Sequence, residues 1–214
     1  MKRTYLFFLA YFILTNSFAN EWISEQELQI GDVILFSFNC YECRVIESET
    51  NSNYSHSGVV LEKINGKILI GQSLGFVTKT ELSEFLKYKT PNTFADVFRP
   101  KAFKYFTNEN YFNLSKKFNY IFTNQFENAP FDVTYLWDNY DKHGRELLYC
   151  SEFIAKFLDY FLPTPTVPKL LSYQKNEEFW KKHFLGNIPQ NVLGNSPVSF
   201  ARDLRFFYFG SLQL

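Results

Sequence analysis

The stretch "NYSHSGVVLEKINGKILIGQS", residues 53–73, decides the fold because it contains two strand-like runs joined by a tight turn. Apolar runs rich in Val and Ile flank Asn65-Gly66, a dipeptide typical of β-hairpin turns. A three-residue loop, with Gly66 as a left-handed bulge residue, places Gln72 directly opposite His56. A two-residue loop at Asn65-Gly66 places Gly75 there instead, so the sequence leaves two registers open.

His56 begins the first of these strands, and the chain has only two other histidines. Histidine exchanges protons near neutral pH because its ordinary pKa is about 6.5, which makes His56 a candidate general base. Such a base needs a nucleophile to act on and a polar group that orients its ring. The amide of Gln72 is a candidate for the second role.

The N-terminus has the pattern of an export signal. Lys2 and Arg3 precede an apolar stretch, residues 5–14, and a small-x-small cleavage site ends at Ala19. The apolar part is too short to span a bilayer, so no stable membrane anchor is expected after its removal. We therefore predict a signal peptide over residues 1–19, a single domain over 20–214, and a periplasmic or secreted protein.

Composition narrows the function classes. The 22 basic and 22 acidic residues balance, so the chain lacks the electrostatic footprint of a nucleic-acid-binding protein. Aromatic residues are abundant, with 26 Phe and 14 Tyr, and an aromatic-rich core explains them better than an aromatic binding surface. These features favour an enzyme or a binding module whose partner is not a nucleic acid.

The rest of the chain predicts an α+β fold. Residues 28–38 and 94–100 have the composition of strands, and Thr107 is placed to cap a helix that ends near Phe126. From Cys150 onward, apolar residues recur at helical spacing until "PTPTVP", which begins at Pro163, stops the helix. Cys150 therefore lies in the first turn of a helix whose apolar face is expected to pack on the sheet.

Cys150 is the candidate nucleophile. The chain has three cysteines, an odd number for an exported protein, and Cys40 and Cys43 lie in C-x-x-C spacing. If those two pair with each other, Cys150 remains a free thiol. Unpaired N–H groups at a helix start favour the thiolate, and with a nearby imidazole the thiol pKa is expected to fall below 7.

Four motifs in order resemble a known family. The segments "GDVILFSFNCYECRVIE", "YSHSGVV", "PFDVTY" and "LYCSEFIAKFL" are similar to the YiiX/YebB-like branch of the NlpC-type papain-like cysteine hydrolases, whose catalytic order is circularly permuted. The resemblance covers residues 31–162. It implies a permuted papain-like fold, in which an antiparallel, barrel-like sheet packs against a helix with the catalytic cysteine at its N-terminus.

The resemblance also implies roles for individual residues. Cys150 is the implied nucleophile and His56 the implied base, and Gln72 stands where the family commonly has a glutamate that orients the histidine. Glu62 is a second candidate for that orienting role, although a solvated residue near the hairpin turn is the simpler interpretation. Tyr135 and Asp132 match a segment that lines the family's cleft.

For this segment two interpretations stay open. Tyr135 could donate its hydroxyl to the oxyanion, together with the Cys150 backbone N–H. Alternatively, Tyr135 is a packing residue and Asp132 caps a turn. Glu152 is interpreted as a helix-stabilising residue first, and His143 and His183 as surface residues.

Cys40 and Cys43 fall where the branch often has a cysteine pair. A disulfide or two ordinary thiols is the favoured interpretation. A zinc site of Cys40, Cys43 and His56 lacks a fourth ligand and would compete with catalysis for the histidine. No metal and no organic cofactor is therefore expected.

The sequence thus predicts an exported thiol hydrolase that cleaves an amide or ester bond through a thioester acyl-enzyme. By analogy with the family, cell-wall peptides are the first substrate class to consider. An acyltransferase acting on lipids or amines with the same Cys/His pair is one alternative. An exported binding module without activity is the other, and Gln72 in place of an acidic residue favours it.

Overall fold

A computed structural model of the chain describes residues 21–213 and shows a mixed α+β architecture, as predicted. The predicted signal peptide lies outside the described residues. Within residues 21–213, none of the helices has both the length and the apolar character that a membrane crossing requires.

Strands numbered in chain order form one large sheet and two small ones. Their bounds are β1 Trp22–Ile23, β2 Val33–Phe36, β3 His56–Ile64, β4 Lys67–Leu74, β5 Phe76–Glu81, β6 Ala95–Pro100, β7 Asn139–Tyr140, β8 Glu146–Leu147, β9 Lys169–Leu170, β10 Leu193–Gly194 and β11 Phe206–Leu212. The large sheet has the strand order β1-β11-β6-β2-β3-β4-β5. Its neighbouring strands are antiparallel except for the parallel pair β1 and β11.

Helices cover both faces of this sheet. Their bounds are α1 Tyr41–Thr50, α2 Leu82–Leu86, α3 Asn108–Ile121, α4 Cys150–Leu158, α5 Glu177–His183 and α6 Val198–Ala201. Helix α4 packs on β3 and β4, and α3 packs on β3 from the same side, whereas α2 packs on the opposite side. Because both faces are covered, strand β2 is apolar at every position and fully buried.

The aromatic surplus fills the layer between α3 and α4. Phe118, Phe122 and Phe126 from α3 and the π-helical turn after it meet Phe153 and Phe157 of α4, mostly edge to face. All five side chains are buried, and such pairs add to the free energy of folding beyond their buried area. This layer holds α4, and with it Cys150, against the sheet.

The predicted helices are confirmed. Thr107 caps α3, its hydroxyl accepting a hydrogen bond from the Asn110 backbone N–H at 3.3 Å, and the π-helical turn extends the helical run to Phe126. Cys150 is the first residue of α4, as its sequence spacing predicts. Helix α4 ends at Leu158, before the proline-rich segment.

Neither predicted hairpin register is correct over the whole hairpin. Asn65 and Gly66, with φ of 50° and 77°, form a two-residue turn, and the turn aligns Ile64 with Lys67. The pairing then shifts by one residue at Leu61, a β-bulge, so that Val59 pairs with Gly71. The turn dipeptide is visible in the sequence, but the bulge has no sequence signal of its own.

A buried ion pair anchors the turn that leads into β2. The Asp32 carboxylate accepts hydrogen bonds from Nε and Nη2 of Arg99, both at 2.7 Å, and from the Gln29 backbone N–H at 2.8 Å. Both charged side chains are buried, and the guanidinium stacks on Phe209 with 3.6 Å to the ring centroid. A bidentate pair of this kind fixes the predicted Gly31-Asp32 turn to strand β6.

Candidate functional site

His56 and Gln72 meet on one face of the β3–β4 hairpin. Nε2 of His56 lies 2.8 Å from Oε1 of Gln72. The register after the bulge places Leu74 opposite His56, so Gln72 is a diagonal neighbour on the same face. Without the shift at Leu61, Gln72 would face the other side of the sheet, because side chains alternate along a strand. The bulge is therefore what allows this hydrogen bond.

Aromatic rings enclose the imidazole of His56. Its ring centroid lies 5.5 Å from Phe36, 5.1 Å from Phe38 and 5.6 Å from Phe85. Gly58 makes room for Phe85, since a Cβ at this position would lie 2.5 Å from that ring. Burial lowers the pKa of His56 to about 4, and the hydrogen bond to Gln72 opposes that decrease.

Cys150 lies at the start of α4 and is buried, with 9% of its surface exposed. Its sulfur is beside Ser57, the residue that follows His56 on β3. The hydroxyl and backbone N–H of Ser57, together with the backbone N–H groups of Cys150 and Ser151, act to lower the pKa of the thiol. Burial has the larger effect, and the net pKa of the thiol is raised.

The resting Cys150 and His56 are therefore both neutral at pH 7. The expectation that the helix N-terminus brings the thiol pKa below 7 is wrong for this resting state, because removing the sulfur from water outweighs the hydrogen-bond donors around it. Side-chain burial of this kind cannot be read from the helical spacing of the sequence.

Hydrogen bonds fix the first turn of α4. Ser73 on β4 donates its hydroxyl to the Leu148 carbonyl at 2.6 Å. Asn195 donates its backbone N–H to the Tyr149 hydroxyl and its side-chain Nδ2 to the Ser151 carbonyl, both at 2.9 Å. The backbone on both sides of Cys150 is thus held in place.

A small cavity of about 70 Å³ adjoins Cys150 between α1, α5 and the segment before α6. Its walls are mainly aromatic and aliphatic, and include Ile46, Tyr135, Tyr149, Leu171 and Trp180. An apolar cavity beside a thiol suits the apolar part of a bound molecule better than a charged group.

Tyr135 lines this cavity, but its hydroxyl is engaged elsewhere. It donates a hydrogen bond to Oε1 of Glu42 on α1, and burial together with that carboxylate raises the pKa of Tyr135. His183 stacks on the Tyr135 ring with 5.7 Å between centroids, and its Nε2 lies 2.7 Å from the Val133 carbonyl. The structure therefore differs from the oxyanion-donor interpretation of Tyr135, and it places His183 near the cavity rather than on an isolated surface.

Asp132 is buried and caps the loop that carries Tyr135. Its carboxylate accepts hydrogen bonds from the Thr134 N–H at 2.8 Å, the Thr134 hydroxyl at 2.6 Å, the Leu136 N–H at 2.9 Å and Nδ2 of Asn139 at 3.1 Å. These contacts match the turn-capping interpretation. Asp132 is a structural support of the cavity wall.

The other candidate residues lie away from His56. Glu62 pairs with Lys79 at 3.4 Å near the hairpin turn, and His143 is exposed. Cys40 and Cys43 are joined by a disulfide, with 5.1 Å between their Cα atoms. Because a disulfide offers no thiolate, the zinc set of Cys40, Cys43 and His56 does not form in this structure.

Three acidic side chains, Asp138, Glu146 and Glu152, come close enough together to share a cation within residues 21–213. The Lys156 ammonium contacts all three, at 2.6 Å from Asp138 and 2.9 Å from Glu152. Burial raises the pKa of Glu152 to about 7. A lysine therefore already supplies the positive charge that this cluster requires, and a metal ion does not fit beside it.

The fold and site define an α+β protein with a cysteine at a helix N-terminus on one face of the sheet. The histidine–amide pair packs against α2 on the opposite face, so the structure does not bring His56 to Cys150, contrary to the prediction from the sequence. Sequence comparison finds no matching family model and no matching curated protein. Among solved structures, the crystal structure of the metalloprotein YiiX from Escherichia coli O157:H7 (DUF1105) matches with a TM-score of 0.69 and 20% identity. The match covers 86% of this chain and 97% of that one, so the predicted YiiX-like resemblance is confirmed for the fold.

Proposed function

We propose that this protein is an exported thiol hydrolase with a permuted papain-like fold, which cleaves an amide or ester bond. The observation that carries the proposal is the free Cys150 thiol at the start of α4, beside Ser57 and next to an apolar cavity of about 70 Å³. His56, hydrogen-bonded to Gln72 at 2.8 Å, is the candidate base, although it packs on Phe85 of α2 on the other face of the sheet. The order of the histidine strand before the cysteine helix agrees with the permuted branch.

The chemistry follows from these groups. The Cys150 sulfur attacks the substrate carbonyl, and the backbone N–H of Cys150 donates to the oxyanion. In the proposed mechanism Nδ1 of His56 accepts the thiol proton, a step for which the imidazole has to turn from the α2 face of the sheet toward the sulfur. The leaving amine or alcohol takes the proton from His56, which gives a thioester. Water, deprotonated by His56, then releases the acid and the free thiol. Because both groups are neutral at rest, proton transfer accompanies the attack rather than preceding it.

Export and the family analogy make peptides of the cell wall the first substrates to test. The acyltransferase alternative uses the same residues, with an amine or alcohol replacing water, and product analysis with and without an added acceptor separates the two. The inactive binding module has specific support in the burial of Cys150 and in the neutral Gln72.

The YiiX neighbour is named a metalloprotein. In this chain, neither the Cys40, Cys43 and His56 set nor the acidic cluster of Asp138, Glu146 and Glu152 fits a metal ion. Cys40 and Cys43 form a disulfide, and Lys156 occupies the acidic cluster. We therefore assign no step of the reaction to a metal ion.

The test is a search for the acyl-enzyme. Wild type, Cys150→Ser and His56→Ala are incubated with wall-derived peptides and with simple amide and ester substrates, and the intact mass and the Cys150 peptide are analysed. We expect a substrate-derived adduct on Cys150, product release by wild type, and neither in His56→Ala. Glu62→Gln is the matched control and should behave as wild type.

Two results contradict the proposal. Turnover that survives Cys150→Ser would place the reaction elsewhere. Binding of a peptide without an adduct or product, unchanged in His56→Ala, would establish the binding module instead.

A further inference from the structure

Two serines face the start of α4 from the sheet. The pairing of Val59 with Gly71 extends to place Ser57 opposite Ser73, so both side chains lie on the face that packs against α4. Both residues have 0% of their surface exposed. Ser73 uses its hydroxyl to hold the Leu148 carbonyl, two residues before Cys150.

The Ser57 hydroxyl, unlike that of Ser73, makes no hydrogen bond to a backbone carbonyl. Its Oγ is buried and has no partner in hydrogen-bond geometry in the resting structure. An unpaired buried hydroxyl opposes folding, and alanine would fill this position without that cost. The backbone N–H and the hydroxyl of Ser57 both approach the Cys150 sulfur, which is a weak acceptor while it is a thiol.

We propose that Ser57 is a further catalytic residue, whose hydroxyl donates a hydrogen bond to the Cys150 sulfur when the thiol loses its proton during the attack. Ser57 keeps its own proton throughout. This role rests on the proposed function, in which the sulfur becomes an anion during attack. A buried anion requires hydrogen-bond donors because water does not reach it. Of the two unpaired buried hydroxyls nearby, Ser57 and Ser151, only that of Ser57 is directed at the sulfur.

The neutral resting state explains why the hydroxyl is unpaired. A thiol is a weak acceptor, whereas a thiolate is a strong one, so the hydrogen bond gains strength only as charge develops on the sulfur. An interaction that is stronger in the transition state than at rest accelerates the reaction. The family resemblance assigns no role to this position.

The test compares Ser57→Thr with Ser57→Val in the full chain with its disulfide intact. The two side chains have nearly the same shape and both suit a strand, but only threonine keeps the hydroxyl. Cys150 is the single free thiol, so the pH dependence of its alkylation rate, followed by peptide mass spectrometry, reports its ionisation alone. Thermal melting shows that each variant is folded.

We expect Ser57→Val to ionise about one pH unit above Ser57→Thr, which corresponds to about tenfold slower alkylation of Cys150 below its pKa. Glu62→Gln, near the hairpin turn and away from Cys150, should keep the wild-type midpoint. Equal midpoints for Ser57→Thr and Ser57→Val, or a wild-type thiol that never ionises, would overturn the inference. A shifted midpoint in a protein without hydrolase activity would uphold the hydrogen bond and reject the proposed function, so the two failures are distinct.

Discussion

Replacing Gln72 by glutamate should raise the pKa of His56. The present hydrogen bond of 2.8 Å joins His56 to a neutral amide, and the pKa of His56 is about 4. A carboxylate about 4 Å from the imidazolium charge contributes about 4 kcal/mol at an effective dielectric constant of about 20, equivalent to about three pKa units. The cost of burying the carboxylate removes part of this, so we expect a net rise of about two units.

The assay is an NMR titration of the histidine side chains, in which His143 and His183 serve as internal references. In parallel, the alkylation rate of Cys150 is followed against pH by peptide mass spectrometry. Gln72→Glu should move the His56 titration to about pH 6, and an accompanying increase in alkylation below the thiol pKa would show that the imidazole reaches the sulfur; Glu62→Gln should change neither. A His56 pKa that stays below 5 in Gln72→Glu would refute the reasoning, since it would mean that the new carboxyl is itself protonated.

Three further outcomes test the fold around the site. Arg99→Met should lower the free energy of unfolding by about 3–5 kcal/mol in urea titrations, because it leaves the buried Asp32 carboxylate unpaired. The control Lys67→Met, which breaks the exposed pair with Glu81, should lower it by less than about 1 kcal/mol. The pKa of Glu152 rises from 4.5 to about 7 on folding, so the folded protein keeps a proton that the unfolded chain releases. Stability should therefore fall by about 3 kcal/mol as pH rises from 4.5 to 7, and urea titrations of Glu152→Gln should lack most of that slope. Reducing the disulfide Cys40–Cys43 should cost only about 2 kcal/mol, measured as a shift in the urea midpoint, because the bond closes a very short loop.

Elements with a strong local signal were predictable from the sequence. Helix α4 follows from the apolar spacing after Cys150, α3 from its Thr107 cap, and the hairpin turn from Asn65-Gly66. Each of these signals depends on residues a few positions apart in the chain. The α+β class followed because such local elements were distributed along one chain without a break in composition.

Features that depend on distant contacts were not predictable. The bulge at Leu61 is stabilised by close packing across the hairpin, where a Cβ on Gly71 would lie 2.8 Å from the Leu61 side chain. The engagement of Tyr135 with Glu42 joins residues far apart in sequence, and so does the stacking of His183 on Tyr135. The raised pKa of the Cys150 thiol likewise reflects burial by the whole fold.

The bulge also divides the β3–β4 hairpin into two parts that tolerate change differently. Residues between Glu62 and Leu69 lie beyond it, so the turn can be lengthened or exchanged while Val59 remains paired with Gly71. Inserting one residue between His56 and Val60 has the opposite effect: while Val60 stays paired with Ile70, His56 changes sides relative to Gln72, although no residue of the site has been altered. Deleting Leu61 only removes the bulge, because Val60 is then followed by Glu62 in a regular ladder and keeps Ile70 as its partner. In this hairpin, one residue inserted beside the site is therefore more damaging than a longer insertion at the exposed turn.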